Sequence, residues 1–226
     1  HSGHDAEPIV QVGDHVRVGQ LIAREEGRFS SPVHATVSGT VTEISPMEVA
    51  GGETLAIHIE SDGLMEVDPS VKAPEFPDCD GFLQAVRDGG IVGLGGATFP
   101  TSVKLDTTKL DPKPDTLVIN GSECEPYLTS DHRLMVEDAE KIIDGIRFAM
   151  KATGVTCAKV GIEDNKPDAI ATMEKAAAGR IGVQVAALKT KYPQGGEKQL
   201  IEAVSGRQVP SGGLPIDVGV VVLNVG

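Results

Sequence analysis

The pattern of hydrophobic and polar residues changes partway along the chain. Residues 8–60 contain short β-rich segments, such as IVQVGDHVRVGQLIA and PVHATVSGTVTEI, separated by turn residues. Their two-residue alternation is typical of half-buried strands. Gly13, Gly19 and Gly39 stand where the chain must reverse between such strands. This pattern predicts a small all-β module over residues 1–61.

Beyond the module the periodicity becomes that of helices alternating with buried strands. The stretch 62–79, rich in Asp and Pro, predicts a linker, and residues 80–226 predict an α/β domain. Helices are expected at CDGFLQAVR, as one long helix over 131–152, after Pro167 and near GEKQLIEAV. Strands are expected at TLVIN, VTCAKVGIE, IGVQVAAL and VGVVVLNV. This alternation predicts a mostly parallel sheet with ligands at the carboxyl ends of its strands.

Composition and charge exclude several functional classes. The formal net charge of −13 argues against sequence-independent nucleic-acid binding, which needs clustered Lys and Arg. The three cysteines are widely spaced, so they predict neither a metal site nor a disulfide framework. No run approaches the ~20 apolar residues of a membrane-spanning helix, so no direct membrane insertion is expected. The start without Met and the end after an apolar run lead us to interpret the chain as a fragment.

A glycine-rich loop in GGIVGLGGATFPTSVKL, residues 89–105, is the first candidate site. It fits neither the Walker A spacing nor the dinucleotide fingerprint. Gly93, Gly95 and Gly96 would let backbone N–H groups approach an anionic ligand, and Pro100 can start a short helix. Lys104 would add a positive charge near a phosphate. From the residues alone, a phosphate-bearing ligand and a purely structural loop both remain open.

An acidic stretch in VINGSECEPYLTSDHRLM is the second candidate site. Asn120 ends a predicted buried strand, and Glu123, Glu125 and Asp131 follow it closely. Carboxylates at the carboxyl end of a strand can accept hydrogen bonds from ribose hydroxyls or a carboxamide, and Asn120 can bond a heterocycle. A solvated acidic turn is the alternative interpretation.

Parts of the β module resemble the half-repeats of biotinyl and lipoyl carrier domains, namely VGDHVRVGQLIA and PVHATVSGTV. Such carriers present a modifiable lysine between the halves, whereas the connecting stretch REEGRFSS contains none. A barrel-sandwich module used for packing or docking is therefore the preferred interpretation.

Three ordered motifs carry a wider resemblance: the glycine loop, the acidic stretch and YPQGGEKQLIEAVSGRQVPSGGLPIDVGVVVLNVG. Together they resemble the C subunit of the ion-translocating Rnf electron-transport complex and, more distantly, the flavin- and NADH-binding subunit of respiratory complex I. The resemblance implies noncovalent FMN, NADH as substrate and hydride or electron transfer with NAD(H). It also implies an oxidoreductase subunit that works with other subunits of a ferredoxin:NAD oxidoreductase, at the cytoplasmic face of a bacterial membrane.

The resemblance also assigns residues. It places Gly93, Gly95 and Lys104, with the neighbouring Gly96, in the FMN loop, and Asn120, with the nearby Glu123, at the flavin. The other flavin residues that it implies are Tyr192, Gly195 and Asn224. It assigns Phe99, Glu125 and Glu197 to the NADH side. No catalytic side chain or metal ligand in this chain is implied.

Several positions depart from the family pattern. Leu94 replaces an Arg, Thr98 replaces a loop Gly, and Thr107 replaces one of two aromatic residues, so Phe99 alone is kept. The [4Fe–4S] motifs of this family are expected only in a C-terminal region that this chain lacks. Two alternatives follow: a related flavin reductase subunit for another acceptor, such as a cobalamin, or a non-catalytic docking module.

Overall fold

A computed structural model describes residues 4–49, 52–76, 78–94 and 98–226. These residues form two compact units. The first contains the described residues up to Val92 and residues 98–103, and the second contains residues 93–94 and everything from Lys104 onward. The domain boundaries 1–61, 62–79 and 80–226 stay a prediction.

The first unit contains two antiparallel three-stranded sheets, with strand orders β1-β3-β4 and β2-β5-β6. The strands are β1 (Glu7–Pro8), β2 (His15–Val16), β3 (Leu21–Arg24), β4 (Val33–His34), β5 (Gly39–Val49) and β6 (Gly52–Ser61). Side chains of these strands and of the adjoining residues form a core of Val10, Val16, Ile22, Ala35 and Val41. The prediction of a small all-β module is confirmed.

One turn glycine in this module is required by both conformation and space. Gly39 has φ +155°, a backbone conformation that other residues rarely adopt. A Cβ atom at this position would overlap the carbonyl oxygen of Glu60 on the paired strand β6. The close approach of β5 and β6 at the start of their hairpin therefore depends on glycine at position 39.

The stretch that follows the module is bonded to it. Val18 N donates to Glu66 O and Asp68 N donates to Val18 O, each at 2.9 Å. Helix α1 (Cys79–Asp88) follows. Its N-cap residue is Asp78, whose side chain accepts a hydrogen bond from Gly81 N at 2.8 Å. The helix predicted at 79–87 is confirmed.

The second unit is built on a parallel sheet with strand order β10-β7-β8-β9. Its strands are β7 (Thr116–Asn120), β8 (Cys157–Glu163), β9 (Val183–Leu188) and β10 (Val220–Asn224). Its helices are α3 (Ser130–Glu137), α4 (Ala139–Thr153), α5 (Pro167–Ala177), α6 (Glu197–Ser205) and a 3-10 turn (Pro215–Val218). The short helix α2 (Thr101–Leu105), which follows Pro100 as predicted, contains the division between the two units.

Helix α6 packs on one face of this sheet. Its Leu200, Ile201 and Val204 form a core with Val118 and other side chains of the strands. On the other face Ile119 and Ile162 are also buried. Because both faces are covered, the strands consist of nearly continuous hydrophobic runs, as parallel strands do. The predicted α/β class and the four predicted strands are confirmed.

The single long helix predicted over residues 131–152 is wrong. The structure has two helices, α3 and α4, separated at Asp138, whose φ of −127° and ψ of 30° are not helical. In the first helix the fully buried residue is Met135 rather than the expected Leu134, which lies five residues before Ala139. Residues four positions apart on a helix share a face and residues five apart do not, so the spacing to Ala139 favours burial of Met135 over Leu134.

A bidentate ion pair anchors the segment between α6 and β10. Arg207 Nη1 and Nη2 donate to the two carboxylate oxygens of Asp115 at 2.7 and 3.0 Å, and Nη1 also donates to Val218 O at 2.9 Å. The Arg207 hydrogen bond holds the pKa of Asp115 below its ordinary value of 3.8. A carboxyl pKa that is lowered by folding stabilises the fold above the unfolded-state pKa, and this contribution is lost as the pH falls through the folded-state value.

We expect Arg207→Ala to lower the free energy of unfolding by about 0.5–1 kcal/mol at pH 7, because the pair is largely exposed to solvent. The difference from wild type should shrink as the pH approaches about 3, where Asp115 is increasingly protonated. Urea unfolding of wild type and variant at pH 7 and at about pH 3 measures this difference in the free energy of unfolding. Arg147→Ala, which removes an exposed pair with Asp144, serves as the control. An equal loss at both pH values would contradict a contribution from ionised Asp115.

Candidate functional site

Two asparagines end neighbouring strands at the carboxyl edge of the parallel sheet. Asn120 is the last residue of β7 and Asn224 the last residue of β10, and the two are direct partners in the strand register. On its other side Asn120 is paired with Gly161 of β8. Since ligands of parallel sheets bind at this edge, both side chains stand where the sequence predicts a site.

Asn120 ties the loop after β9 to the end of β7. Its Nδ2 donates to Gly195 O at 2.9 Å, and its Oδ1 accepts from Ser122 N at 3.1 Å. A Cβ atom on Gly195 would lie 2.8 Å from Ser122 O and 3.3 Å from Cys124 Sγ. The two loops therefore approach each other so closely that only glycine fits at 195.

Lys104 reaches the same sheet from the end of α2. Its Nζ donates to Val222 O on β10 at 3.2 Å and lies 3.5 Å from Glu197 Oε1 at the start of α6. The two side chains are 34% and 44% exposed. The structure thus brings together a predicted flavin residue and a predicted NADH residue that are 93 positions apart in the chain.

Glu123 acts on the protein backbone. Its Oε1 accepts from Asp131 N at 2.8 Å and its Oε2 accepts from His132 N at 3.2 Å, so both oxygens cap the first turn of α3. Asn224 Nδ2 donates to Asp131 Oδ2 at 2.7 Å. Burial raises the pKa of the Asp131 carboxyl, and the nearby Glu123 charge raises it further.

Other predicted residues have fewer contacts with this edge. Glu125 is exposed, with its Oε2 3.9 Å from Cys124 Sγ, and Tyr192 is 77% exposed in the loop that contains Gly195. Gly93 is half-buried. Gly95 and Gly96, both predicted for the FMN loop, lie outside the described residues.

Phe99 belongs to the first unit, where its ring packs against Phe29 at a centroid distance of 5.9 Å. Its neighbour Thr98 has φ +51°, the left-handed conformation that a glycine would adopt without strain. This conformation explains why glycine is favoured at that position of the loop. Thr107, which stands where complex I has a second aromatic residue, is buried in the second unit and donates to Thr153 O at 3.2 Å.

Two polar residues near this edge were not among the predicted site residues. Gln194, between Tyr192 and Gly195 in chain order, is 1% exposed, and its Nε2 has no hydrogen-bond partner among the described residues. Asp131 was grouped with Glu123 and Glu125 as a carboxylate that could accept hydrogen bonds from a ligand, but it was not assigned to the flavin or to NADH. The only sequence signal for Gln194 is a long polar side chain inside a Pro-Gly-Gly turn, which does not reveal burial.

Two protein families match different parts of the chain. Residues 86–226 match the family described as the Nuo51 FMN-binding domain, and residues 1–64 match the RnfC barrel sandwich hybrid domain. The chain belongs to the Nuo51 FMN-binding domain family. The resemblance to the C subunit of the Rnf complex, predicted from three motifs, is thereby confirmed.

Curated relatives of this chain are C subunits of oxidoreductase complexes. One belongs to the Na(+)-translocating ferredoxin:NAD(+) oxidoreductase complex of Acetobacterium woodii and is 51% identical over 100% of this chain and 52% of the relative. Another belongs to the proton-translocating ferredoxin:NAD(+) oxidoreductase complex of Clostridium ljungdahlii and is 48% identical over 100% of this chain and 50% of the relative. The chain thus spans about half the length of these curated relatives.

A solved structure also resembles this chain. It is that of an NAD+-reducing [NiFe]-hydrogenase in the air-oxidized state, with a TM-score of 0.55 and 32% identity over 66% of this chain and 29% of the hydrogenase chain.

In the described parts of our chain, no helix has the length and apolar character needed to cross a membrane. Nor do three or more His, Cys, Asp or Glu side chains cluster there as metal ligands would.

Proposed function

We propose that this chain binds FMN at the carboxyl edge of its parallel sheet and exchanges electrons with NAD(H). The whole protein would be the NADH-side subunit of a ferredoxin:NAD oxidoreductase complex, peripheral to the cytoplasmic face of the membrane. Family membership supports this proposal, as do the names of the relatives. The observation that carries it is that Asn120, Gly195 and Asn224 meet at this edge, with Lys104 bonded to Val222, two residues before the end of β10.

The donors at this edge fit an anionic ligand that carries a polar heterocycle. Lys104 has three N–H donors, of which one binds Val222 O and another faces Glu197 Oε1 at 3.5 Å, so its third donor can bind a phosphate group. Asn120 uses one of its two amide N–H groups on Gly195 O. In the same loop as Gly195, the buried Gln194 Nε2 is a donor without a protein partner among the described residues.

The protein residues would position and neutralise the cofactor. FMN itself, when bound, supplies the two-electron chemistry with NAD(H). Lys104 would compensate the phosphate charge, and Asn120 would hold the Gly195 loop against β7. Glu125, exposed beside this loop, would accept hydrogen bonds from the nucleotide. The predicted roles of Gly93, Gly95, Gly96, Glu123, Tyr192 and Phe99, and the [4Fe–4S] clusters outside this chain, belong to the same proposal.

Titration with FMN, followed by quenching of flavin fluorescence, tests the proposal. We expect FMN to bind about tenfold or more tightly than riboflavin, because the charge-assisted hydrogen bond from Lys104 needs the phosphate. Anaerobic addition of NADH to the complex should then bleach the flavin absorption. Equal binding of FMN and riboflavin would contradict a phosphate site at Lys104.

The same experiment separates the alternatives. A protein that binds FMN but is not reduced by NADH would be a flavin subunit for another electron source or acceptor. A protein that binds no flavin would be a docking module that keeps the fold. The Lys104–Glu197 ion pair favours the docking module in one respect, because Glu197 already neutralises the charge of Lys104 without a ligand.

A further inference from the structure

The contacts of Asn224 show how its side chain is oriented. Its Nδ2 donates to Asp131 Oδ2 at 2.7 Å and, more weakly, to Asn120 O at 3.4 Å, while its Oδ1 accepts from Gly226 N at 2.8 Å. An ionised carboxylate only accepts hydrogen bonds, so Asp131 requires the nitrogen end of the Asn224 carboxamide on its side. The oxygen end must then face the backbone that follows β10.

Asp131 is itself held in place by its surroundings. It lies in the first turn of α3, where its backbone N–H is bound by Glu123, and its side chain feels the opposing charges of Glu123 and Lys166. Lys166 in turn pairs with the buried Glu163 at 3.5 Å. The backbone of Asp131 is therefore held by Glu123 of the acidic loop, and the hydrogen bond that its carboxylate makes is the one to Asn224.

We propose that Asp131 is a positioning residue that, through its hydrogen bond to Asn224, sets how the Asn224 carboxamide faces the FMN-binding edge. This inference rests on the proposed function for its effect on FMN, but the Asp131–Asn224 bond itself does not. The raised pKa of Asp131 agrees with a half-buried carboxylate whose main polar contact is this one amide. No direct contact of Asp131 with the cofactor is required.

The bond is tested first in the flavin-free chain by NMR of the Asn224 side-chain amide, assigned by its loss in Asn224→Ala. In Asp131→Ala we expect one amide proton to move upfield toward the position of a solvent-exposed asparagine. Asp131→Asn, which keeps an acceptor oxygen, should preserve most of the wild-type shift. As a control, Asp144→Ala, which replaces an exposed aspartate on α4, should leave the Asn224 amide shifts unchanged. An unchanged Asn224 amide in folded Asp131→Ala would overturn the proposal, whatever the flavin does.

FMN affinity provides the second readout. We expect Asp131→Ala to weaken FMN binding about tenfold, as the loss of one charged hydrogen bond would, and Asp131→Asn to recover most of this loss. The double variant Asp131→Ala/Asn224→Ala should bind FMN no worse than Asn224→Ala alone, because Asp131 acts through Asn224. Additive losses would overturn the positioning role. Absence of FMN binding in the wild type would instead contradict the proposed function. The NMR test would still decide whether the Asp131–Asn224 hydrogen bond exists.

Discussion

Lys104→Ala is expected to weaken FMN binding by about 10- to 100-fold while leaving riboflavin binding nearly unchanged. The range corresponds to the loss of one hydrogen bond with a charged group, about 1.5–3 kcal/mol. The reason is geometric: Nζ is anchored on Val222 O at the sheet and keeps a further N–H donor for an anion. Fluorescence titration of both flavins against the same variant measures the contrast.

Two control variants make this result specific. Lys198→Ala removes a neighbouring lysine that donates to Pro210 O and should leave both affinities unchanged. Glu197→Gln removes the negative charge that competes with a phosphate for Lys104, so FMN binding should become a few-fold tighter. A loss of riboflavin affinity equal to that of FMN in Lys104→Ala would show that the lysine supports the fold of the site and not the phosphate.

The strands of the α/β domain could be predicted from sequence because each is a short, buried apolar run between polar segments. TLVIN, for example, begins and ends where the structure places β7. The alternation of strands and helices then leads to a parallel sheet, and hence to Asn120 and Asn224 at its carboxyl edge. Periodicity failed at Asp138, because a change of helix direction within a continuous amphipathic pattern leaves little trace in composition.

Side-chain partners within the site could not be predicted in the same way. Lys104 and Glu197 were assigned to different ligands, yet the fold places them 3.5 Å apart. The two oxygens of Glu123, a residue assigned to the flavin, accept hydrogen bonds from the first turn of α3 in the structure. Such contacts depend on how loops from distant strands meet at the edge. Residue type and local spacing determine which groups arrive there, but not which of them bind each other.

The pairing of Lys104 with Glu197 also changes what is expected of the two acidic residues that were assigned to NADH. Glu197 touches the proposed phosphate lysine, so its replacement should alter the binding of FMN as well as the use of NADH. Glu125 is exposed and has no such link to Lys104 among the contacts of the described residues. Glu125 is therefore the variant that isolates the nucleotide side of the site.

We expect Glu125→Gln to leave FMN affinity nearly unchanged but to slow flavin reduction by NADH about 3- to 10-fold at low NADH concentration. A carboxylate that accepts hydrogen bonds from the nucleotide contributes about 1.5–3 kcal/mol to its binding, and a neutral glutamine acceptor keeps about half of this. Anaerobic stopped-flow reduction over a range of NADH concentrations measures the change, with Glu137→Gln on the exposed face of α3 as the control. If Glu125→Gln is reduced as fast as wild type at every NADH concentration, Glu125 does not bind the nucleotide.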